Sequence, residues 1–134
     1  MTATSATVLQ AIGNTPLVAL RRVVPEGCAR IVVKVEGHNP TGSMKDRMAQ
    51  AMVAGAEGEG RLKPGGTIVE YTGGSTGASL ALVAAARGYR LKIVTSDAFS
   101  AEKLTQMRAF GADLTLIPSD GGKITRKLIQ DMIA

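Results

Sequence analysis

Short runs of branched apolar residues alternate along the chain with longer stretches in which apolar positions recur every three to four residues. The extended runs predict strands at 29–36, 67–71, 89–96 and 112–118. The helical spacing predicts helices at 43–60, 75–88, 100–110 and 122–134. Gly88 and Gly111 stand where the second and third helices should end. This alternation is typical of βαβ units and predicts an α/β fold with a mainly parallel sheet and flanking helices.

The last predicted helix carries an apolar stripe with no stop signal after it. The stripe consists of Ile124, Leu128, Ile129, Met132 and Ile133. No glycine, proline or capping pattern follows before Ala134. We therefore expect 1–134 to be a single partial α/β domain of a longer fold, with a leading segment at 1–40 and βα units at 41–134.

Composition and charge narrow the choice of partners. The 134 residues are 45% hydrophobic and carry a formal net charge of +5, so nucleic acid must be considered. The basic residues are scattered among acidic ones, and two Phe, two Tyr and no Trp are available to stack on bases. We therefore expect no nucleic-acid partner.

No apolar run approaches the roughly 20 residues that cross a bilayer, and the first residues lack the basic-then-apolar pattern of a signal peptide. A cytoplasmic protein without membrane contact is expected. The single cysteine, Cys28, cannot form an internal disulfide. The only histidine, His38, has no nucleophile at a recognisable spacing, and no Cys/His cluster indicates a metal.

The first candidate loop, 39–47 with the sequence NPTGSMKDR, places a lysine at a helix start. Ser43 is predicted to be the N-cap with Asp46 as its capping-box partner, so Lys45 falls in the first turn. The positive end of the helix dipole disfavours an ammonium group there. A partly neutral amine is a nucleophile that can form a Schiff base with an aldehyde. On this local pattern alone, a solvated surface lysine remains the alternative.

The second candidate loop, 70–80 with the sequence EYTGGSTGASL, combines glycines with hydroxyl side chains at a helix start. These residues are Thr72, Gly73, Gly74, Ser75, Thr76 and Gly77. Glycines let the backbone approach a ligand closely, and a helix N-terminus favours a carboxylate or phosphate. A plain strand-to-helix turn is the alternative. If the two loops follow successive strands, they should converge at one edge of the sheet.

Three motifs stand in the order and rough spacing found in a known family: IGNTPLV at 12–18, KVEGHNPTGSMKDR at 34–47 and EYTGGSTGASLA at 70–81. The chain resembles the N-terminal part of cysteine synthase and cystathionine β-synthase, which are pyridoxal-phosphate enzymes of fold type II. The resemblance implies pyridoxal 5'-phosphate as cofactor and β-replacement on an activated serine as reaction. It also implies a small amino-acid substrate, and a homo-oligomer is expected.

The resemblance implies roles for individual residues. In that family the lysine matching Lys45 holds the cofactor as an internal aldimine and later moves the α-proton of the substrate. The residues implied to bind the substrate carboxylate are Thr72, Gly73, Gly74 and Thr76. Ser75 stands where family members commonly carry an asparagine that meets the 3′ oxygen of the cofactor, so a cofactor-binding role with a shorter reach is implied.

Segments for the cofactor phosphate and the pyridine nitrogen are expected beyond Ala134, so the chain alone is expected to bind the cofactor weakly. A second class of function also stays open. It is a non-catalytic truncated remnant that binds a small anion or a partner protein.

Overall fold

The computed structural model describes residues 7–134, so the first six residues of the predicted leading segment lie outside it. In chain order, the strands and helices are β1 (Leu17–Ala19), β2 (Val32–Lys34), α1 (Lys45–Gly58), β3 (Thr67–Tyr71), α2 (Ser75–Arg87), β4 (Arg90–Ser96), α3 (Ala101–Ala109), β5 (Asp113–Ile117) and α4 (Arg126–Ile133). Single-turn 3-10 helices occupy Val8–Ala11 and Glu36–His38. Within residues 7–134, no helix combines the length and apolar character that a membrane crossing requires.

The main sheet consists of β3, β4 and β5, which are parallel and adjacent in chain order. Its middle strand alternates, with Leu91, Ile93 and Thr95 buried on one face. Ile93 lies opposite Glu70 on one side and Leu114 on the other. This architecture confirms the α/β prediction with a parallel sheet and flanking helices.

The predicted strand at 29–36 is the main departure from expectation. Only Val32–Lys34 is extended, and it pairs antiparallel with Leu17–Ala19 in a separate two-stranded sheet. The prediction that both candidate loops follow successive strands of one sheet is therefore wrong. An apolar run indicates a strand but not its partner, and here the partner is a three-residue segment after Pro16 that is too short to be recognised.

The predicted helices are confirmed, and their ends follow local chemistry. Gly88 has a φ of 76° and ends α2 in the left-handed conformation that glycine adopts easily. The Thr125 hydroxyl accepts a hydrogen bond from the Leu128 N–H at 3.1 Å and caps α4. The predicted apolar stripe is only partly covered. Leu128 and Met132 of α4 are buried, whereas Ile133 at its end and Ile124, which lies before the helix, are more than half exposed.

The Ala-rich helix α2 lies at the centre of the molecule. It packs against α1, α3, β3 and β4, and every residue from Gly77 to Ala84 is buried. A helix that is apolar on all sides is stable only when it is covered on all sides. Its small side chains let α1 approach closely, with Ala49 and Val53 of α1 in the same core.

We predict that Gly77→Ala lowers the free energy of unfolding by about 1–3 kcal/mol. A Cβ at Gly77 would lie 2.6 Å from Thr72 Cγ2 and 2.7 Å from the buried Met107 Cε. Gly55→Ala in α1 is the matched control, because its Cβ would meet nothing within 4 Å and should raise stability by about 0.5–1 kcal/mol. Urea unfolding measures both, and changes of the same sign would contradict the packing.

Candidate active site

The structure places Lys45 as the first residue of α1, with its side chain half-buried. Ser43 Oγ accepts a hydrogen bond from the Lys45 N–H at 3.1 Å, and Met44 occupies the N-cap position. The capping box predicted for Ser43 and Asp46 is wrong. The Asp46 carboxylate does not accept a hydrogen bond from Ser43, because it accepts from Thr41 and Ser79 instead.

That contact joins α1 to α2. Asp46 is fully buried, and its carboxylate accepts from the Thr41 N–H at 2.8 Å, the Thr41 hydroxyl at 2.5 Å and the Ser79 hydroxyl at 2.5 Å. Hydrogen bonds to a carboxylate are about twice as strong as neutral ones, and a buried charge requires them. The hydrogen bond from Ser79 therefore fixes the position of α1 along the axis of α2.

This relative position of α1 and α2 brings the two candidate loops together. Ser79 lies four residues after Ser75, which is one turn along the same face of α2. Asp46 follows Lys45 directly at the start of α1. The amine-bearing end of α1 and the N-terminus of α2 therefore lie at the same end of the helix pair, although β2 does not belong to the parallel sheet.

The glycine-rich loop continues the edge of the sheet into α2. The Thr72 N–H donates to the Val94 carbonyl at 3.0 Å, and the loop then turns through Gly73 and Gly74. Gly74 is the N-cap of α2, and no side chain caps the helix there. A Cβ on Gly74 would meet nothing within 4 Å. The Gly74 N-cap therefore adjoins open space at the positive end of α2.

The other predicted residues of this loop lie around that opening. Thr72, Ser75 and Thr76 are half-buried. The Thr72 methyl group packs towards Gly77. Gly73 is required for a different reason from Gly74, since a Cβ there would overlap the ring of Phe99.

Sequence reasoning missed Phe99, which covers one side of the glycine loop. It belongs to the β4–α3 connection. The sequence feature that could have indicated it is an aromatic residue just after a predicted parallel strand, because ligand sites form where such strands end. The same connection contacts the β5–α4 loop. Ser119 donates hydrogen bonds to Asp97, including one from its backbone N–H at 2.8 Å, and this lowers the pKa of Asp97.

A second polar cluster anchors α1 to the leading segment. Arg47 donates from Nε to Glu36 Oε2 at 2.9 Å and from Nη2 to Glu36 Oε1 at 3.0 Å. Thr15 donates to Glu36 at 2.6 Å, and Asn39 donates to it at 2.9 Å. Hydrogen bonds from Arg47, then Thr15, lower the pKa of Glu36 from 4.5 to about 2. The cluster ties Glu36, at the start of the segment that leads to Lys45, to Arg47 of α1.

His38, at the end of the 3-10 helix Glu36–His38, and Cys28 are exposed. In the described part of the chain, no group of three or more His, Cys, Asp or Glu residues is arranged to hold a metal.

The chain belongs to the family of pyridoxal-phosphate dependent enzymes, whose model matches residues 8–132. Cysteine synthase B of Salmonella typhimurium is 48% identical over 116 residues, which are 87% of this chain and 38% of that protein. O-ureido-L-serine synthase of Streptomyces lavendulae is 49% identical over 127 residues, which are 95% of this chain and 39% of that protein.

A solved structure of a hydrogen sulfide-producing enzyme from Fusobacterium nucleatum aligns with a TM-score of 0.81 and 38% identity, covering 95% of this chain and 42% of that one. The chain therefore spans about two fifths of the length of these relatives. The predicted family, its pyridoxal 5'-phosphate cofactor and the fold class are confirmed.

We predict that the free energy of unfolding falls as the pH drops from 4.5 through about 2, because Glu36 is harder to protonate in the folded chain. The contribution is fully present above pH 4.5 and is lost below the folded pKa. Glu36→Gln should flatten this part of the profile. Unfolding by urea at a series of pH values measures it, and Glu26→Gln at an exposed position is the control. A profile unchanged by Glu36→Gln would contradict the assignment.

Proposed function

We propose that the protein carries the lysine and the substrate loop of a pyridoxal-phosphate enzyme that performs β-replacement on an activated serine, as cysteine synthase does. One observation carries the proposal. The buried bond between Asp46 and Ser79 brings the Lys45 end of α1 to the N-terminus of α2. Family membership and relatives near 48% identity support the reaction class.

The residues present fit the cofactor and its substrate. Among residues 7–134, no hydrogen bond or ion pair engages Lys45 Nζ, so the amine is available to hold an aldehyde covalently. The uncapped start of α2 beside Gly74 offers N–H donors to an anion. An amine and an anion site at one end of a helix pair match the aldehyde of this cofactor and the carboxylate of an amino acid.

Within this proposal, each residue has one task. Lys45 holds the cofactor and moves the α-proton of the substrate. Ser75 donates to the cofactor. The residues that bind the substrate carboxylate are Thr72, Gly73, Gly74 and Thr76. When bound, pyridoxal phosphate withdraws electrons from the α-carbon of the substrate.

The names of the relatives support β-replacement. Cysteine and O-ureido-L-serine are both amino acids with a heteroatom on the β-carbon, sulfur in one and oxygen in the other. The proposal leaves the leaving group and nucleophile unspecified. The cytoplasmic location, the homo-oligomer and the division at residue 40 stay predictions.

We predict that Lys45→Ala abolishes covalent trapping of pyridoxal phosphate by borohydride. Peptide mass spectrometry of the chain, treated with excess cofactor and then reduced, locates the modified lysine. Lys34→Ala and Lys63→Ala are matched controls that should keep the trapped peptide. Lys34 lies on β2 and donates to the Thr15 carbonyl at 3.0 Å, and Lys63 is exposed. Selective trapping that survives Lys45→Ala would exclude this lysine, and equal labelling of all lysines would favour a non-catalytic remnant.

We also predict that Ser75→Asn maintains or raises the affinity for pyridoxal phosphate. Asparagine has a longer reach than serine and brings two donor hydrogens to the first turn of α2. Equilibrium dialysis measures the affinity, with unfolding by urea as the check that the fold is intact. A marked loss of affinity in a folded variant would mean that Ser75 does not face the cofactor.

A further inference from the structure

We propose that Asp46 is a positioning residue, whose buried carboxylate holds the amine of Lys45 in register with the N-terminus of α2. This inference rests on the proposed role of Lys45 and adds Asp46 as the residue that fixes the position of Lys45. The Asp46 carboxylate is engaged by Thr41 and Ser79 among the described residues, so we give it no contact with the reacting atoms.

The bonds to Asp46 connect three separate parts of the site. Thr41 belongs to the loop that leads to Lys45, Asp46 lies in the first turn of α1, and Ser79 lies in α2. All three side chains are buried, with Asp46 and Ser79 at 0% exposure. A displacement of α1 along α2 would leave the carboxylate with missing donors in a site that water does not reach, which is strongly unfavourable.

Lys45 is coupled to this arrangement by its position in the chain. Its backbone adjoins Asp46 in the same helical turn, so the Asp46 bonds fix the point from which the lysine side chain extends. A lysine side chain has several rotatable bonds, and holding its backbone reduces the volume that the amine explores. A reacting group misplaced by about 1 Å loses much of its rate.

The hydrogen bonds of Asp46 form one polar clasp between α1 and α2. A second polar clasp, formed by Glu57, supplies the control. At the far end of the pair, Glu57 of α1 accepts from Nη1 of Arg87, the last residue of α2, at 2.5 Å and from the hydroxyl of Tyr89, two residues further on, at 2.6 Å. This clasp also joins α1 to α2, but it lies more than three helical turns from Lys45. A residue that only stabilises the helix pair should behave like this clasp, whereas a positioning residue should not.

The experiment compares donors removed at the two ends while Asp46 itself is retained. Thr41→Val and Ser79→Ala each remove one hydroxyl donor to Asp46, and Thr41→Ser keeps it. Tyr89→Phe removes one hydroxyl donor to Glu57. Each folded chain is treated with pyridoxal phosphate and borohydride, and the ratio of modified Lys45 to modified Lys63 is measured by peptide mass spectrometry. The exposed Lys63 serves as the internal reference.

We expect the labelling ratio to fall about tenfold in Thr41→Val and Ser79→Ala, the size of one lost bond to a carboxylate, and to stay within about twofold of the parent in Thr41→Ser and Tyr89→Phe. An unchanged ratio in Thr41→Val would overturn the proposal. An equal fall in Tyr89→Phe would also overturn it, because the effect would then be general stability.

Amide hydrogen exchange of the first turn of α1 separates this inference from the proposed function. If the parent chain shows no preference for Lys45, the cofactor role fails, and exchange alone decides the positioning. Faster exchange near Asp46 in Thr41→Val than in Tyr89→Phe, at matched urea stability, supports positioning. Equal exchange in the two variants overturns it.

Discussion

A charged group removed from water must be satisfied where it lies, and Asp46 imposes this constraint on the structure. Its carboxylate is fully buried and accepts from one backbone N–H and two hydroxyl groups. The donors come from the loop before α1 and from the second turn of α2, so a displacement of either element would leave the buried charge with missing donors. The site depends on that arrangement, because the helices do not follow neighbouring strands of one sheet.

The pair formed by α1 and α2 combines two kinds of interaction. Small apolar residues such as Ala49 and Ala78 let the helices approach but determine their register weakly. Polar clasps at both ends supply the register, with Asp46 at the end that carries Lys45 and Glu57 at the other. Hydrogen bonds are directional and apolar contacts are not. The clasps therefore fix the position of α1 relative to α2, whereas the apolar core stabilises the pair without fixing that position.

The ion pair of Glu36 and Arg47 extends this control to the leading segment. Arg47 lies two residues after Lys45, and its partner precedes the loop that contains Asn39 and Thr41. Asn39 in turn accepts from the Gly13 N–H at 2.9 Å. The segment before Lys45 is thus held at its start by a partly exposed ion pair and at its end by a buried carboxylate.

The sequence by itself determined the features that arise from local chemistry. Helical spacing located the helices, Gly88 marked a helix end, and the family motifs indicated Lys45 and the loop at 72–76. Only the tertiary structure decided the pairing of β2, the partners of Asp46 and the place of Phe99. Asp46 matched a local capping pattern, yet its Ser79 partner lies 33 residues away. A local pattern records what a residue can bind, whereas burial against distant elements decides what it does bind.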